Sequence, residues 1–483
     1  MKTAELVFIP FPAMGHVVPA VETAKLLVEF DNRVSTTVLL MKPAIDSSTI
    51  KYSESLAAST LPDRMRFVHL PSLELKSRTG IWLDFLIEGQ KPHVKEFVSK
   101  IVSQSELSHD SPRLAGFVFD AFCAGMKDLA DEFGVPWYVF SSSGAAFLGC
   151  LLYLQVLHDE QNVDLTEFKN SDAKLEISSL VNPLPARLLP SMAFMKDGVP
   201  VLAGTARGLR EARGILVNTL IELESHAVSS LSNIGISPLF PIGPIVKCEG
   251  DDYGVGSDHQ INGYKDIMEW LDDQPPLSVV FLCFGSLGSF SVDQVKEIAF
   301  ALEQSGKRFL WSLQKPSPMG SIESPIDFGE ILPEGFLDRI INVGKVIGWA
   351  PQARILAHRA IGGFVSHCGW NSILESMYFG VPIAGWPIYN EQKFNAFQIV
   401  IELGLAMEIT TDYIKHSKSD NEVIVNADDI TKGINDLMKQ ESEVRRSVKK
   451  MSETSKKALM DGGSSYSSLG CLIADVMGSK SMK

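Results

Sequence analysis

Cysteine is scarce in this 483-residue chain and follows no regular spacing. Six positions hold it, none of them in a C-x-x-C pair: Cys123, Cys150, Cys248, Cys283, Cys368 and Cys471. Structural zinc sites and the disulfide frameworks of small secreted domains depend on such spacing, so the sequence argues against both. Scattered cysteines are typical of a reducing compartment, and we predict a cytoplasmic protein.

Long runs of positive charge and unbroken apolar runs are also missing. The net charge is −14 without a long basic run, which argues against nucleic acid as a partner. The N-terminus lacks the long apolar segment and the cleavage site of a secretory signal. The uncharged stretch 135–157 has the length of a membrane span, but Ser and Gly at 141–144 divide it. We therefore predict a buried strand, a turn and a helix there, and no membrane span.

Three motifs of common chemistry are absent. No G-x-G-x-x-G follows a leading strand, which argues against a nicotinamide dehydrogenase. No G-x-S-x-G elbow occurs, and the adjacent His367 and Cys368 are poorly arranged as a base and a nucleophile, which argues against a hydrolase. No Asp-x-Asp is present to hold a diphosphate through Mg²⁺, so we predict no metal and metal-independent activity.

The chain alternates strand and helix patterns in two series. Its length predicts two or three domains, and 45% hydrophobic with 21% charged residues is typical of a globular protein. Predicted strands cover 6–11, 34–40, 66–70, 116–119, 136–140, 278–284 and 308–313; predicted helices cover 19–30, 266–271 and 292–304. A Gly- and Asp-rich loop, 247–264, separates the series. The alternation predicts an α/β protein with two Rossmann-like, doubly wound domains and a hinge near 245–262.

The segment 349–392 combines groups suited to a nucleotide sugar. Trp349 can stack on a flat base. The turn 367–372 is predicted to open a helix, whose N-terminus can hold phosphate through free backbone N–H groups. Glu375 follows Asn371 by one helical turn, so it can face the same ligand and accept hydrogen bonds from ribose hydroxyls.

The segment closes with Glu391 and Gln392, whose side chains suit sugar hydroxyls. As a whole it resembles the signature box of plant secondary-product glycosyltransferases, which use UDP-sugars, in its Trp, Gln, His-x-Gly-Trp-Asn-Ser, Glu and terminal Gln. The resemblance implies the GT-B fold, with two Rossmann-like domains facing a cleft. It implies an acceptor-binding domain over 1–245, a UDP-sugar-binding domain over 246–460, and a last helix within 461–483 that crosses back to the first domain.

A histidine and an aspartate each follow a predicted strand. His16 is predicted to lie just before a helix that has Pro19 as its first residue, where the helix dipole keeps the ring neutral, as a general base must be. Asp120 ends another strand, so both can meet at one sheet edge, where the carboxylate would orient the ring. By position alone, a structural role is the more common one for a lone His, and a helix-capping role of Asp120 is at least as open. The resemblance implies that this pair is catalytic.

The resemblance also implies binding residues. Trp349 would stack on uracil, Gln352 and Glu375 would hold the ribose, His367 and the following turn the phosphates, and Gln392 the sugar, with preference for UDP-glucose. The full donor set is Ser142, Ser286, Trp349, Ala350, Gln352, His367, Gly369, Trp370, Asn371, Ser372, Glu375, Glu391 and Gln392. An apolar acceptor pocket is expected from Met14, Gly15, Phe122, Phe140, Phe147, Phe194, Met195 and Tyr389. The segment 179–198 is expected to form its adaptable lid or wall.

The expected reaction is an inverting transfer of glucose. His16 would take a proton from an acceptor hydroxyl, whose oxygen attacks the anomeric carbon opposite UDP and gives a β-glucoside. UDP-glucose is then a co-substrate, and no cofactor is expected. The acceptor is expected to be a small hydrophobic hydroxylated molecule, a flavonoid or other phenolic, and the protein a monomer. Triterpenoid or hormone acceptors stay open, as does an inactive UDP-sugar-binding protein, against which the presence of both His16 and Asp120 argues.

Overall fold

The computed structural model describes residues 3–42, 47–58, 61–73, 82–108, 111–247, 258–286, 288–314, 328–348, 350–411 and 423–478. The chain divides into two compact units. The first unit comprises Met1–Arg187, Met192–Ile245 and Lys457–Lys483, and the second comprises Leu188–Ser191 and Val246–Lys456. Most of the predicted hinge, 248–257, lies outside the described residues.

The first unit is built on a parallel sheet of seven strands. Its strands, with a two-residue antiparallel pair (β6 and β7), are β1 Ala4–Ile9, β2 Val34–Lys42, β3 Met65–Ser72, β4 Arg113–Asp120, β5 Trp137–Ser141, β6 Lys174–Leu175, β7 Leu184–Pro185, β8 Gly214–Val217 and β9 Leu239–Pro241. The strand order is β3-β2-β1-β4-β5-β8-β9. The central strands are buried along almost their whole length, as in sheets covered on both faces.

In the described residues, seven α-helices connect these strands along the chain. They are α1 Met14–Phe30, α2 Ser47–Ala58, α3 Trp82–Leu107, α4 Lys127–Phe133, α5 Ala145–Asp159, α6 Gly198–Glu211 and α7 Ser225–Asn233. Among the described residues, no helix is both long and apolar enough to cross a membrane. The stretch 135–157 folds as predicted, into β5, a turn at 142–144 and the largely buried α5.

The second unit repeats the plan with a six-stranded parallel sheet. Its strands are β10 Val279–Cys283, β11 Arg308–Ser312, β12 Gly344–Ile347, β13 Ile361–Ser366, β14 Ile383–Gly385 and β15 Ala406–Glu408, in the order β12-β11-β10-β13-β14-β15. Its helices are α8 Asp258–Asp272, α9 Val292–Ser305, α10 Phe336–Ile340, α11 Gln352–Leu356, α12 Trp370–Phe379, α13 Gln392–Phe397, α14 Ala427–Leu437 and α15 Glu443–Leu459, whose last three residues belong to the first unit. Trp311 and Trp386, both with no exposed area, belong to its buried core.

The last helix, α16 Ser464–Gly478, belongs to the first unit. Asp475 accepts hydrogen bonds from the Tyr138 hydroxyl at 2.6 Å and from two nitrogens of Arg213. The hydroxyl of Ser465 donates to the carbonyl of Gly243. Because Tyr138 lies on β5, these bonds tie the end of the chain to the middle of the first sheet.

Three predicted boundaries were wrong. β1 ends at Ile9 rather than residue 11, because Pro10 has no N–H with which to continue the sheet. α1 begins at Met14, so His16 is its third residue and Pro19 lies inside it. The predicted loop 247–264 is also too long, since α8 already begins at Asp258. Because His16 lies in the first helical turn, it still lies near the positive end of the helix dipole.

Candidate active site

Each sheet has one point where the strand order reverses. In the first sheet β1 and β4 are neighbours, with Ile9 paired to Phe119, and the chain runs outward from them in opposite directions. In the second sheet β10 and β13 are neighbours, with Cys283 paired to Ser366. Ligands of open parallel sheets bind at such switch points, beyond the carboxyl ends of the strands. Among the predicted site residues, His16 follows β1, Asp120 is the last residue of β4, Ser286 follows β10 and His367 follows β13.

His16 and Asp120 meet at the first switch point. Nδ1 of His16 lies 2.8 Å from Oδ2 of Asp120, across 104 residues of sequence. The other carboxylate oxygen accepts from the backbone N–H of Phe122 at 3.0 Å and so caps the short 3-10 helix Ala121–Met126. Asp120 therefore caps a helix and holds the imidazole at the same time. Its side chain is 1% exposed and that of His16 is 23% exposed, so the imidazole is the member of the pair that a ligand can reach.

Two aromatic rings and a hydroxyl also lie beside His16. The ring of Phe11 lies edge-on at 5.2 Å between centroids, and that of Phe122 lies at 5.7 Å. The hydroxyl of Ser142 is 3.3 Å from Nδ1 and is largely buried. A neutral ring that donates its Nδ1 proton to Asp120 carries its lone pair on Nε2, the nitrogen a general base needs. Sequence analysis missed Phe11 because the predicted first strand included it.

His367 lies at the second switch point, between two glycines. A Cβ atom on Gly285, whose φ is +76°, would lie 2.7 Å from Nε2 of His367, and one on Gly369 would lie 2.5 Å away. Both positions therefore need glycine for the ring to fit. Burial lowers the pKa of His367 to about 4, an effect that the backbone of Cys283 opposes. The ring is neutral at physiological pH, so it can serve phosphate only through a hydrogen bond and not as a cation.

The turn after His367 holds its next residue in an unusual backbone conformation. Cys368 has a φ of +62°, which is uncommon for a residue other than glycine and stores strain of roughly 1 kcal/mol. Nδ2 of the fully buried Asn395, on α13, donates to the Cys368 carbonyl at 3.0 Å and holds the turn. Sequence analysis missed Asn395, although it follows Gln392 by three residues and so lies near the same helix face.

Helix α12 begins directly after this turn. Gly369 is its N-cap and has no side chain to cap the helix, and the positive end of the helix dipole there favours an anion. The Nε2 amide of Gln352 donates hydrogen bonds to the Ser372 hydroxyl oxygen at 2.9 Å and to the Glu375 carboxylate at 2.7 Å. Burial raises the pKa of Glu375 to about 7, against the lowering effect of the Gln352 hydrogen bond.

Gln392 is anchored by its carbonyl oxygen. Oε1 accepts from the backbone N–H groups of Ile388 and Tyr389, at 2.9 and 3.0 Å, and the residue is 3% exposed. Its oxygen is engaged within the protein, and its NH₂ group is the part suited to a ligand. Glu391 is half-buried and is the N-cap of α13.

The remaining donor candidates differ in accessibility. Ser286 is exposed, Ala350 and Asn371 are half-buried, and Trp370 is buried. Trp349 lies outside the described residues. The carbonyl of the preceding Gly348 accepts from the Ser312 hydroxyl and the Gln314 amide, which fixes the chain just before it.

The acceptor candidates fall into two groups. Phe140 and Phe147 are 1% and 6% exposed and belong to the core, because Phe140 lies on β5 directly beside Asp120 and Phe147 in the first turn of the buried α5. The others have accessible area: Met14, Phe122, Phe194 and Tyr389 are half-buried, and Gly15 and Met195 are exposed. In the segment 179–198, predicted to be an adaptable lid or wall, Leu180, Leu184, Leu188 and Leu189 are buried, while Val181 and Met195 are exposed.

In the described part of the chain, no three His, Cys, Asp or Glu side chains are grouped so that they could hold a metal ion.

Comparisons with known proteins find relatives that cover almost the whole chain. The family model described as "UDP-glucoronosyl and UDP-glucosyl transferase" matches residues 254–428. UDP-glucose flavonoid 3-O-glucosyltransferase 6 of Fragaria ananassa is 53% identical over 476 residues, covering 97% of this chain and 98% of that protein. Anthocyanidin 3-O-glucosyltransferase 1 of Manihot esculenta is 51% identical over 469 residues, covering 96% and 100%. The structure of UGT71G1 of Medicago truncatula, complexed with UDP-glucose, has a TM-score of 0.84 at 39% identity and covers 99% of both chains.

Proposed function

The chain belongs to the plant UDP-glycosyltransferases and has their GT-B fold of two Rossmann-like domains, as predicted, and from this we propose that it transfers glucose from UDP-glucose to a hydroxyl group of a flavonoid. The observation that carries the proposal is the 2.8 Å contact between His16 and Asp120 at the β1–β4 switch point. A base held in this way can remove the proton of an acceptor hydroxyl.

The proposed reaction is a direct displacement. Nε2 of His16 takes the hydroxyl proton while the acceptor oxygen forms a bond to the anomeric carbon. The bond from that carbon to the UDP oxygen breaks on the opposite side, so an α-linked donor gives a β-glucoside. Asp120 stabilises the imidazolium that forms, and UDP leaves with its negative charge at the N-terminus of α12.

Residues of the second unit are proposed to bind the UDP-glucose donor. Gln352 and Glu375 are proposed to bind the ribose, and Trp349 to stack on the uracil. Ser286, His367 and the turn 370–372 are proposed to hold the diphosphate by hydrogen bonds. The Gln392 NH₂ group is proposed to donate to a glucose hydroxyl, with Glu391 accepting from another. Because the sequence lacks Asp-x-Asp, we propose that the diphosphate is held without a metal and that no cofactor takes part.

The acceptor class is proposed from two observations. The similar proteins of Fragaria ananassa and Manihot esculenta are named for flavonoid and anthocyanidin 3-O-glucosylation. In this chain Phe11 and Phe122 lie 5.5 Å apart beside His16, and a planar aromatic acceptor can pack against such rings. Triterpenoids and hormones with a hydroxyl group are the alternative acceptors.

A mass-spectrometric assay tests the proposal. The purified protein is incubated with UDP-glucose and a mixed set of flavonoids, simple phenolics and triterpenoids, with and without EDTA. A gain of one hexose on flavonoids, unaffected by EDTA and with the β anomer shown by NMR, would support it. Transfer only to triterpenoids would replace the acceptor class, an α anomer would refute the mechanism, and binding of UDP-glucose without any transfer would favour the inactive binder.

We also propose that the chain works as a monomer in the cytoplasm. Its described cysteines, Cys123, Cys150, Cys283, Cys368 and Cys471, are all free thiols, which suits a reducing compartment.

The proposed ribose contact predicts a pH dependence. Because the pKa of Glu375 is about 7, its ionised fraction rises between pH 6 and pH 8. Ribose hydroxyls donate more strongly to a carboxylate than to a carboxylic acid, so binding favours the ionised form. Uridine, which has no phosphate to titrate, is therefore expected to bind about tenfold more tightly at pH 8 than at pH 6.

Calorimetric titration of uridine across this pH range measures the effect. The Glu375→Gln variant, which cannot ionise, is the control and is expected to bind with a dissociation constant that does not change with pH. A wild-type dissociation constant that is the same at pH 6 and pH 8 would remove Glu375 from the ribose site.

A further inference from the structure

The first unit contains a buried carboxylate that the proposed mechanism does not use. Glu224 is 3% exposed. Its two oxygens accept hydrogen bonds from successive backbone N–H groups at the start of α5, those of Ala145 at 2.8 Å and Ala146 at 2.9 Å. The N-cap of α5 is Gly144, which has no side chain to cap the helix. A carboxylate 79 residues further along the chain supplies the missing cap.

The segment 218–224, which ends at Glu224, also holds the first residue of the turn before α5. The backbone N–H of Asn218 donates to the carbonyl of Ser141, the last residue of β5, at 3.0 Å. Within the turn, the Ser141 hydroxyl donates to the Ser143 carbonyl and accepts from the Ser143 N–H. The residue fixed between these anchors is Ser142, whose hydroxyl lies 3.3 Å from Nδ1 of His16.

The negative charge of Glu224 also supports His16, because it favours the imidazolium that forms during the reaction. The free N–H groups at a helix N-terminus carry partial positive charge, which disfavours a cation nearby. Helix α5 begins three residues after Ser142, and the Glu224 carboxylate takes two of its N–H groups. An imidazolium that forms on His16 therefore meets less positive potential than an uncapped α5 would produce.

We propose that Glu224 is a positioning residue for His16. It fixes the turn 141–144 so that Ser142 and Asp120 together hold the Nδ1 edge of the ring, and its charge offsets the N-terminus of α5. This inference rests on the proposed function, because it takes His16 as the base. Wild-type transfer is therefore measured first, and its absence would count against the proposed function and not against Glu224 in particular.

The main variant is Glu224→Gln, which keeps the size of the side chain and one accepting oxygen but loses the charge. We expect kcat to fall by about 10- to 100-fold as the ring loses its fixed position, while KM for UDP-glucose stays unchanged. The acid limb of the kcat–pH profile is expected to move to lower pH, because removal of a negative charge disfavours the imidazolium. Glu224→Asp, which keeps the charge but is shorter, should lower kcat less and leave the acid limb in place.

A double-mutant cycle tests whether the effect passes through Ser142. In a Ser142→Ala background the link to His16 is already cut, so Glu224→Gln is expected to lower kcat by much less than in the wild type. If Glu224→Gln does not fold, Glu224→Asp takes its place in the same cycle. If kcat of the double variant falls by the product of the two single-variant factors, the two residues act independently and the proposal is overturned.

Glu5 offers a matched control in the same unit. It is also a buried carboxylate, 1% exposed, with the Ser35 hydroxyl and Arg66 among its partners, and it lies near the start of β1, away from the end that leads to His16. Glu5→Gln is expected to lower the melting temperature without moving kcat or the acid limb. The same result for Glu224→Gln would show a purely structural cap and would overturn the proposal.

Discussion

Replacement of His16 by alanine is expected to lower kcat for glucosyl transfer by about 10²–10⁴-fold, the usual contribution of a general base. The variant keeps the helix that carries the residue, because alanine has the highest helix propensity. UDP is expected to bind as in the wild type, since the groups proposed to hold it all lie in the second unit while His16 lies in the first. The His16→Ala variant should therefore lose glucosyl transfer and keep UDP binding.

Two measurements check this expectation: transfer by mass spectrometry and UDP affinity by calorimetry. His226→Ala is the matched control, because His226 is an exposed histidine of the same unit whose Nε2 bonds the Ser178 carbonyl. It should leave both quantities unchanged. Undiminished transfer by His16→Ala would remove His16 from the role of base, and loss of UDP binding would show that the substitution disturbs more than the proton transfer.

The meeting of His16 with Asp120 could be anticipated from the sequence because it depends on a general rule. Parallel strands end at one edge of a sheet, and both residues follow apolar runs of the strand type. The surroundings of His16 could not be anticipated in the same way. Pro19 was interpreted as the first residue of a helix, a position where proline is favoured, but it lies inside α1. Pro19 is the sixth residue of α1, beyond the four whose N–H groups have no helical partner, so the helix has one i→i−4 bond fewer there.

The donor segment shows where a residue pattern is sufficient and where it is not. The helix after the turn 367–372 was expected, and α12 begins at Trp370. The positive φ of Cys368 had no sequence signal, because the residue is not glycine. The contact of Asn395 with the Cys368 carbonyl spans 27 residues, and the anchoring of Gln392 depends on the path of the preceding loop. Such contacts follow from tertiary packing, which local patterns do not encode.

The acceptor pocket was the hardest part of the site to predict, because the burial of its candidate residues could not be known from the sequence. An apolar residue on a buried strand and one on a pocket wall look alike in sequence, so Phe140 was a reasonable candidate although it is 1% exposed. Glu224 shows the opposite case, since glutamate is normally exposed and its burial against two backbone N–H groups of α5 has no local signature. Only the fold brings the segment after β8 against the turn that holds Ser142.

Asp120→Asn is expected to lower kcat by up to about 10⁴-fold, because it fixes the wrong tautomer of His16. One carboxylate oxygen of Asp120 accepts from the Phe122 N–H and the other from His16 Nδ1. An asparagine has one oxygen for these two positions. If its NH₂ faced the Phe122 N–H, two donors would meet in a site that is 1% exposed, at a cost of about 1–3 kcal/mol.

The amide is therefore expected to turn its oxygen to Phe122 and its NH₂ to His16. Nδ1 then accepts, the ring proton moves to Nε2, and the lone pair that takes the acceptor proton is lost. Asp120→Ala also removes the charge but leaves both tautomers accessible, so it should retain more activity than Asp120→Asn. Steady-state kcat of the two variants measures this order. Asp128→Asn, at an exposed aspartate, is the control and is expected to leave kcat unchanged. Equal losses, or a more active asparagine variant, would show that Asp120 acts through its charge and not through the tautomer of His16.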